Sequence, residues 1–319
     1  MAGTHVRIVD LELWYSGDAE GRRGVAAEID ISLRELGFVV VANHGVNPAL
    51  ADRVRHASAR FFHLPTETKK PHEVASLGEP GWVPFGLEAN GYIFGEDTPP
   101  DLKESWVVNM GQLPTPDGSP RPHVVGTNHW PTEVAELERD ITEYLIEVER
   151  LNLDLLTMLA VALGIDVDAL VGRCAHAAST FVVNWYPPLV HTGAVAENQF
   201  RIGPHTDFGS ITILDRQPGL GGLQIQTPDG HWVDAPWESG SLVINVGDLL
   251  EMWSGGRWRS ARHRVLPPDA DAPNESLTSL VYFCEPDGDV IIEPLIEGDQ
   301  FEPVRAADYL QARLDQITV

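Results

Sequence analysis

The chain has 319 residues, of which 43% are hydrophobic, and this length is enough for one large domain or two small ones around a sizeable core. Acidic residues outnumber basic ones by 47 to 22, and the net charge of −25 argues against nucleic acid and anionic membrane partners, which need clustered Lys and Arg. No apolar run approaches the roughly 18 residues of a membrane helix, and the N-terminus lacks the pattern of a secretory signal. Because Cys174 and Cys284 are isolated thiols, we expect a cytoplasmic protein.

The N-terminal segment 20–62 predicts a helix, a strand and a second helix. Apolar residues at helical spacing run up to Gly37, which is a plausible C-cap. The β-branched run FVVVANHG at 38–45 predicts a strand. The next helix would begin with Asn47 as N-cap and Pro48 in the first helical position.

The middle of the chain separates two parts of different character. Residues 75–125 are rich in Gly and Pro and predict loops with short strands. Residues 131–163 form the longest helical pattern, which Gly164 would end. We therefore divide the chain into an N-terminal region, 1–125, and a long helix with a β-rich barrel, 126–319, which together make one compact unit.

Short β-type runs dominate the sequence after residue 178. Pro-Asp-Gly at 228–230 predicts a turn between two of them, because Gly supplies a positive φ. Many short strands at regular spacing are typical of a sandwich or barrel, and the closing segment 303–317 predicts a helix. The predicted strands lie at 180–186, 210–214, 222–226, 231–235, 241–247, 262–266, 278–283 and 289–294.

Three residues in this β-rich part have the pattern of a metal site. His205 and Asp207 are two positions apart, so on a strand both side chains project from one face. His263 would come from another strand. Two imidazoles and one carboxylate occupy one face of an octahedron and leave positions open, as iron(II) oxygenases require. Spacing alone leaves open a zinc site and a purely structural His-Asp pair.

The sequence around these residues resembles a known family. The stretches HTDFGSITIL and SLVINVGDLLEMWSGGRWRSARHRV lie within residues 178–295, which resemble the catalytic barrel of the isopenicillin N synthase-like iron(II)/2-oxoglutarate oxygenases. The segments that resemble the N-terminal half of that family are 9–11, 37–46, 61–69 and 101–106. The resemblance implies a mixed α+β fold, with N-terminal helices and a long supporting helix around a double-stranded β-helix, or jelly-roll. It also implies Fe(2+) held by His205, Asp207 and His263, with O2 as co-substrate.

The chain departs from this family at the residue that anchors 2-oxoglutarate. Relatives hold the distal carboxylate of 2-oxoglutarate with the Arg of an Arg-X-Ser motif, because the guanidinium fork matches a carboxylate. Here the motif reads Leu277-Thr278-Ser279, and no Lys or Arg lies between Arg264 and Arg305. Three hypotheses follow: another cation anchors 2-oxoglutarate, the enzyme is an oxidase that does not use it, or the chain is a non-catalytic metal- or ligand-binding protein. The candidate replacement cations are Arg201, Arg259, Arg262 and Arg264.

Other co-substrate residues match the family pattern. Asn184 and Tyr186 resemble its Asn-X-Tyr, and Ser279 matches the Ser of Arg-X-Ser, so these residues and Arg264 form the predicted co-substrate site. Tyr186 could instead be an aromatic residue that packs in the core at the end of a strand, and Ser279 could instead hydrogen-bond a neighbouring backbone group.

The family resemblance implies that the substrate enters at the open end of the barrel. The expected reaction is hydroxylation, desaturation or cyclisation of a small organic metabolite by a monomer or homodimer. Trp253 and Trp258, beside Gly255-Gly256, are expected to pack the barrel wall, and Cys284 is expected to be an inert buried thiol. The candidate pocket residues are Phe85, Tyr92, Phe94, Trp106 and Phe208.

Overall fold

The computed structural model describes residues 5–113, 126–175, 179–217, 219, 222–267 and 271–319. Eight α-helices occur in these ranges: α1 Glu12–Ser16, α2 Ala19–Leu36, α3 Pro48–Phe62, α4 Thr66–Lys69, α5 Glu136–Leu163, α6 Leu189–Thr192, α7 Asp248–Trp253 and α8 Ala306–Ile317. Short 3-10 helices lie at Lys70–His72, Asn90–Phe94, Met110–Gln112, Thr132–Val134, Val167–Ala169 and Val171–Arg173.

Fourteen strands complete the described part of the fold. They are β1 Ile8–Asp10, β2 Phe38–Ala42, β3 Gly81–Val83, β4 Glu104–Asn109, β5 Thr180–Tyr186, β6 Ile202–His205, β7 Ile211–Arg216, β8 Leu223–Gln226, β9 Trp232–Asp234, β10 Leu242–Val246, β11 His263–Val265, β12 Leu277–Cys284, β13 Ile291–Ile292 and β14 Val304–Arg305. The large sheet has the order β1-β2-β10-β7-β12-β5-β4-β3, the small sheet has the order β6-β11-β8-β9, and β13 pairs with β14.

The two sheets pack face to face as a jelly-roll. One hydrophobic cluster joins Phe38, Val40 and Val243 of the large sheet to Leu223 and Ile225 of the small sheet. Since alternate residues of a strand point to opposite faces, the pairing register shows which other side chains share this inner face.

The outer face of the large sheet is covered by helices. On α5, apolar residues at helical spacing form a buried stripe that packs with α2 and α3 in the main hydrophobic core. Trp106 of β4 lies in this core, with its ring centroid 4.7 Å from that of Phe61. Trp253 and Trp258 belong to the same core and are fully buried, as predicted. The helices therefore support the sheet from behind.

Both predicted parts of the chain contribute to one sheet. Strands β1 to β4 come from the N-terminal region, and β2 pairs with β10 while β4 pairs with β5. The N-terminal region is therefore a structural part of the barrel wall. No single helix in the described ranges has the length and apolarity of a membrane span; one bent pair, Glu136–Leu163 with Val167–Arg173, would meet those two criteria together.

Candidate metal centre and active-site cavity

The three predicted metal ligands meet at the edge of the small sheet. His205 ends β6, His263 begins β11, and the two residues are direct partners in the antiparallel register. The Oδ1 atom of Asp207 lies 3.6 Å from the Nε2 atom of each imidazole. All three side chains are buried, and one ligand atom from each lies within 4.8 Å of the others.

Hydrogen bonds fix the orientation of each ligand. The Nδ1 atom of His205 is 2.8 Å from the carbonyl oxygen of Gly203, and that of His263 is 3.1 Å from the carbonyl oxygen of Ala261. An Nδ1–H that donates to a carbonyl leaves the Nε2 lone pair of a neutral imidazole free for a metal. Both imidazoles therefore present a nitrogen ligand toward Asp207.

The two oxygens of the Asp207 carboxylate have different partners. Its Oδ2 atom accepts hydrogen bonds from the Thr212 hydroxyl and, at 2.6 Å, from the Asn245 amide. These donors lie on β7 and β10, so the large sheet positions a ligand that follows a strand of the small sheet. The Oδ1 atom remains directed toward the two imidazoles.

The protonation states of Asp207 and His263 suit a cation, while the Asp207 carboxylate, against the effect of burial, raises the pKa of His205. Burial alone would raise the pKa of Asp207, but the neighbouring imidazoles of His263 and His205 and the Thr212 hydroxyl hold it well below its usual range. Burial, together with the charge of His205, lowers the pKa of His263 to about 4. A carboxylate that stays ionised and an imidazole that stays neutral are the forms that bind metals. Two nitrogens and one oxygen on one side of a site fit iron(II).

A cavity of about 660 Å³ opens beside His205 and Asp207. Of the predicted pocket residues, Phe208 lines it, and so does the predicted co-substrate residue Asn184. Much of the remaining wall is polar or charged. The polar groups in the wall include Glu88, Asn90, Lys103, Ser105, Asn109, Thr180, Glu285, Asp289, Arg305 and Gln311.

Four predicted pocket residues lie outside the wall of this cavity, which corrects that part of the sequence prediction. Trp106 sits on the opposite face of β4 from Ser105 and packs against the helices. Phe85 and Phe94 are 43% and 44% exposed, and Tyr92 lies in the short helix Asn90–Phe94 without reaching the cavity. Aromatic content alone did not reveal which face of each element these residues occupy.

A smaller cavity, of about 60 Å³, adjoins the remaining matched co-substrate residues. Tyr186 and Ser279 are in its wall, and their hydroxyl oxygens lie 3.1 Å apart. Leu277, opposite Tyr186 in the register, lines the same space. Arg216, at the end of β7, is also part of this wall.

Three of the four arginines considered as replacement cations lie elsewhere, whereas Arg201 is buried beside the site, with its guanidinium carbon 5.7 Å from the ring centroid of Tyr186. Arg264 is on the opposite face of β11 from His263, where it bonds Gln224 and stacks 4.1 Å over the ring of Trp232, so its predicted co-substrate role is not supported. The other three bond to protein acceptors: Arg201 to Glu275, Arg259 to the carbonyl of Gln226, and Arg262 to Glu96.

Three residues that contribute to this region were not predicted from the sequence. Thr212 and Asn245 hold Asp207, and Arg216 lines the small cavity. All three lie in or next to predicted strands, and alternation would have placed Thr212 and Arg216 on one face. Which face looks inward depends on strand pairing, which is not visible in the sequence.

Comparison with known proteins follows the same division of the chain. The family model for the 2OG-Fe(II) oxygenase superfamily matches residues 177–286, and the model for the non-haem dioxygenase N-terminal region, described from morphine synthesis, matches residues 6–133. Validamycin A dioxygenase of Streptomyces hygroscopicus subsp. limoneus is 42% identical over 291 residues, covering 91% of this chain and 79% of the relative. The 2-oxoglutarate-dependent dioxygenase frbA of a Dothideomycetidae species is 31% identical, covering 90% and 87%.

Solved structures share the whole architecture. A full-length Neurospora crassa protein, crystallised in complex with alpha-KG (2-oxoglutarate), has a TM-score of 0.81 and 26% identity, and the match covers 97% of this chain and 95% of the other. A 2OG-Fe(II) oxygenase family protein from Caulobacter crescentus has a TM-score of 0.81 and 28% identity, and the match covers 98% of both chains. The chain therefore belongs to the 2OG-Fe(II) oxygenase superfamily, as an iron(II)- and 2-oxoglutarate-dependent dioxygenase that uses O2 to oxidise a small metabolite.

Proposed function

We propose that His205, Asp207 and His263 hold the catalytic iron of this dioxygenase, and that 2-oxoglutarate and substrate bind in the adjoining cavities. The observation that carries this proposal is the approach of three buried ligand atoms to within 4.8 Å of one another. Bound iron(II) supplies the activation of O2 at its open coordination positions. The protein's own groups position the reactants around it.

The residues around the metal have separate roles in this proposal. Thr212 and Asn245 hold the Asp207 carboxylate in one orientation, so the three ligands stay on one side of the ion. Phe38 packs edge-on against His263, with ring centroids 5.2 Å apart, and closes that side of the site to water. Phe208 provides an apolar surface in the wall of the large cavity.

The lining of the large cavity favours a hydrophilic substrate. Lys103 bonds Glu88 and lies 3.1 Å from the Ser105 hydroxyl, which in turn donates to Asn184 at 2.7 Å. The Oε2 atom of Glu285 is buried in the same wall and has no hydrogen-bond partner among the described residues. Such a wall offers many donors and acceptors, and a buried carboxyl oxygen without a partner favours a ligand that can hydrogen-bond to it.

The proposed substrate class is therefore a small hydrophilic metabolite of the kind that validamycin A represents. The name of the 42% identical relative supports this choice. Two structural neighbours were crystallised with thymine and with jasmonate (JA), so the fold itself accepts chemically different molecules. The charged and hydrogen-bonding groups in the wall of the large cavity favour a hydrophilic substrate over a largely apolar one such as jasmonate.

Measurement of oxygen uptake tests both the metal assignment and the substrate class. The iron-loaded protein with 2-oxoglutarate should consume O2 faster when validamycin A is added than when thymine or jasmonate is added. His263→Ala should lose iron binding and O2 uptake, whereas His231→Ala, whose side chain is 81% exposed on a turn, should keep both. Full activity in His263→Ala would overturn the metal assignment. Stimulation by jasmonate alone would overturn the substrate class.

A further inference from the structure

Leu277 leaves the distal carboxylate of 2-oxoglutarate without the arginine that the sequence pattern led us to expect. The side chains that remain at that end of the site are the hydroxyls of Tyr186 and Ser279. Two hydroxyls can donate hydrogen bonds to a carboxylate but cannot balance its charge, and a buried unbalanced charge is costly. A cation should therefore lie in the same cavity.

Arg216 is the cation in that position. It is the direct register partner of Ser279 across the β7–β12 pairing, so the two side chains project from the same face of the sheet. Thr212, on the same face of β7, bonds Asp207, which shows that this face looks toward the metal. Within the described parts of the chain, Arg216 is the only Lys or Arg in the wall of the cavity that Leu277, Ser279 and Tyr186 line.

The guanidinium of Arg216 is fixed but not neutralised by the protein. Its Nη2 group donates to the carbonyl oxygens of Ala235, at 2.7 Å, and Pro236. The Nε atom is buried without an acceptor, and no carboxylate in the described ranges forms an ion pair with the side chain. Asp234 attracts its charge only from beyond ion-pair distance. Two neutral carbonyls hold this partly buried cation in place, and its charge and one donor remain for a ligand.

We propose that Arg216 binds the distal carboxylate of 2-oxoglutarate together with Ser279 and Tyr186, in place of an arginine at position 277. The assignment rests on the proposed function of the metal site. It moves the cation from β12 to the neighbouring strand β7 and leaves the two hydroxyl groups where the family motif has them. Leu277 then serves as an apolar wall beside the arginine.

Two 2-oxo acids distinguish the contact with the distal carboxylate from the other contacts of the site. Both 2-oxoglutarate and 2-oxopentanoate carry the same 2-oxo acid group for iron, but the second ends in a methyl group instead of a carboxylate. Titrating the anaerobic iron(II) protein with each acid and following the visible charge-transfer band gives two affinities, without turnover. The wild-type protein should prefer 2-oxoglutarate by roughly 100-fold, as expected for a charge-assisted contact.

Arg216→Gln should remove this preference while keeping an amide that can bond the nearby carbonyls. We expect 2-oxoglutarate to bind roughly 100-fold more weakly to the variant and 2-oxopentanoate to bind within about twofold of wild type. Arg264→Gln is the matched control, because that arginine bonds Gln224 on the outer face of its strand, and it should keep the wild-type preference. An Arg216→Gln protein that still prefers 2-oxoglutarate would overturn the assignment.

A double variant tests whether the weaker binding of 2-oxoglutarate to Arg216→Gln comes only from a folding defect. Arg216→Gln with Leu277→Arg should regain at least part of the preference, since the cation returns to the same cavity from β12. No recovery, in a variant that still binds 2-oxopentanoate, would count against a carboxylate site at this place. A wild-type protein that gives no band with either acid would instead overturn the proposed function, so the two failures are distinguishable.

Discussion

Asp207, a ligand of the proposed metal site, uses its two carboxylate oxygens differently. One of its oxygens is held by Thr212 and Asn245, and the other is left facing His205 and His263. The two donors limit rotation of the carboxylate, so the free oxygen is positioned before any ion arrives. This preorganisation should contribute to iron affinity.

Thr212→Val should weaken iron binding by about tenfold, because valine has nearly the same shape but cannot donate to Asp207. Competition with a coloured chelator under anaerobic conditions measures the affinity. Thr157→Val is the control: that hydroxyl donates to the carbonyl of Leu153 within α5, away from the metal. Equal iron affinities in Thr212→Val and Thr157→Val would show that the hydroxyl does not orient the ligand.

Glu251 should make the stability of the fold depend on pH. Burial, and then the nearby Asp248, raise the pKa of Glu251 from about 4.5 to about 7. A carboxyl with a raised pKa in the folded state favours folding below pH 4.5, and this contribution is lost as the pH rises toward and past 7. Glu251→Gln removes this titration. The Tm of the variant minus the Tm of the wild type should therefore be about 3 °C larger at pH 8.5 than at pH 5. Thermal unfolding of the exposed-site variant Glu12→Gln at both pH values is the control; an equal gain at pH 5 and 8.5 in Glu251→Gln would contradict the assigned shift.

The site could be predicted only in part at the level of residues. The candidate metal ligands were found because His205 and Asp207 are two positions apart in a recognisable stretch, although β6 ends at His205 and Asp207 follows it. The absence of a cation at position 277 could also be read from the sequence. Arg216 was not found, because its relation to Ser279 exists only through the pairing of β7 with β12, and a one-residue change of register would turn its side chain to the other face.

At the scale of elements, the junction between α2 and β2 depends on a glycine. Gly37 ends α2 with φ at 72°, and a Cβ atom there would lie 2.1 Å from the carbonyl oxygen of Arg259. Gly164 ends α5 with a similar φ of 69°, but a Cβ atom would meet nothing within 4 Å. The two caps share the same backbone conformation and differ in the space around it.

Gly37→Ala should therefore cost more stability than Gly164→Ala. We expect about 1 kcal/mol for Gly164→Ala, from the left-handed backbone alone, and about 3 kcal/mol or more for Gly37→Ala, because backbone must also move. Urea unfolding of the two variants measures the difference. Equal losses of unfolding free energy in the two variants would mean that the segment around Arg259 moves to accommodate a methyl group with little loss of stability.

Element boundaries followed the local signals where these were strong. The predicted strand at 180–186 is β5, and the helix after Asn47 begins at Pro48 as expected. Strand β2 ends at Ala42, earlier than the apolar run suggested, and α5 begins at Glu136 after a 3-10 turn. Strand β6 and helix α7 were not predicted, because Gly and Pro interrupt the first and the second is only six residues long.

For the whole molecule, the net charge of −25 should affect how the co-substrate arrives. 2-Oxoglutarate carries two negative charges, so the average field of the protein repels it at long range. Salt shortens the range of that field to about 10 Å at 0.1 M. The association rate should therefore rise several-fold between about 10 and 150 mM salt, and rise less for the singly charged 2-oxopentanoate.

Stopped-flow mixing, with the charge-transfer band as signal, measures these association rates. A rate that falls with salt would show that the local positive potential around Arg216 outweighs the acidic surface. A rate that does not change for either acid would show that entry is limited by motion of the protein rather than by electrostatics.

The position of β12 in the large sheet has a consequence for synthesis on the ribosome. This strand, Leu277–Cys284, lies between β7 and β5, both of which are made earlier in the chain. Until it leaves the exit tunnel, those two strands each have an unpaired, aggregation-prone edge, and the sheet is split into two halves. The nascent chain should thus gain protease resistance late and abruptly, and products that stop before residue 277 are expected to depend on chaperones to stay soluble.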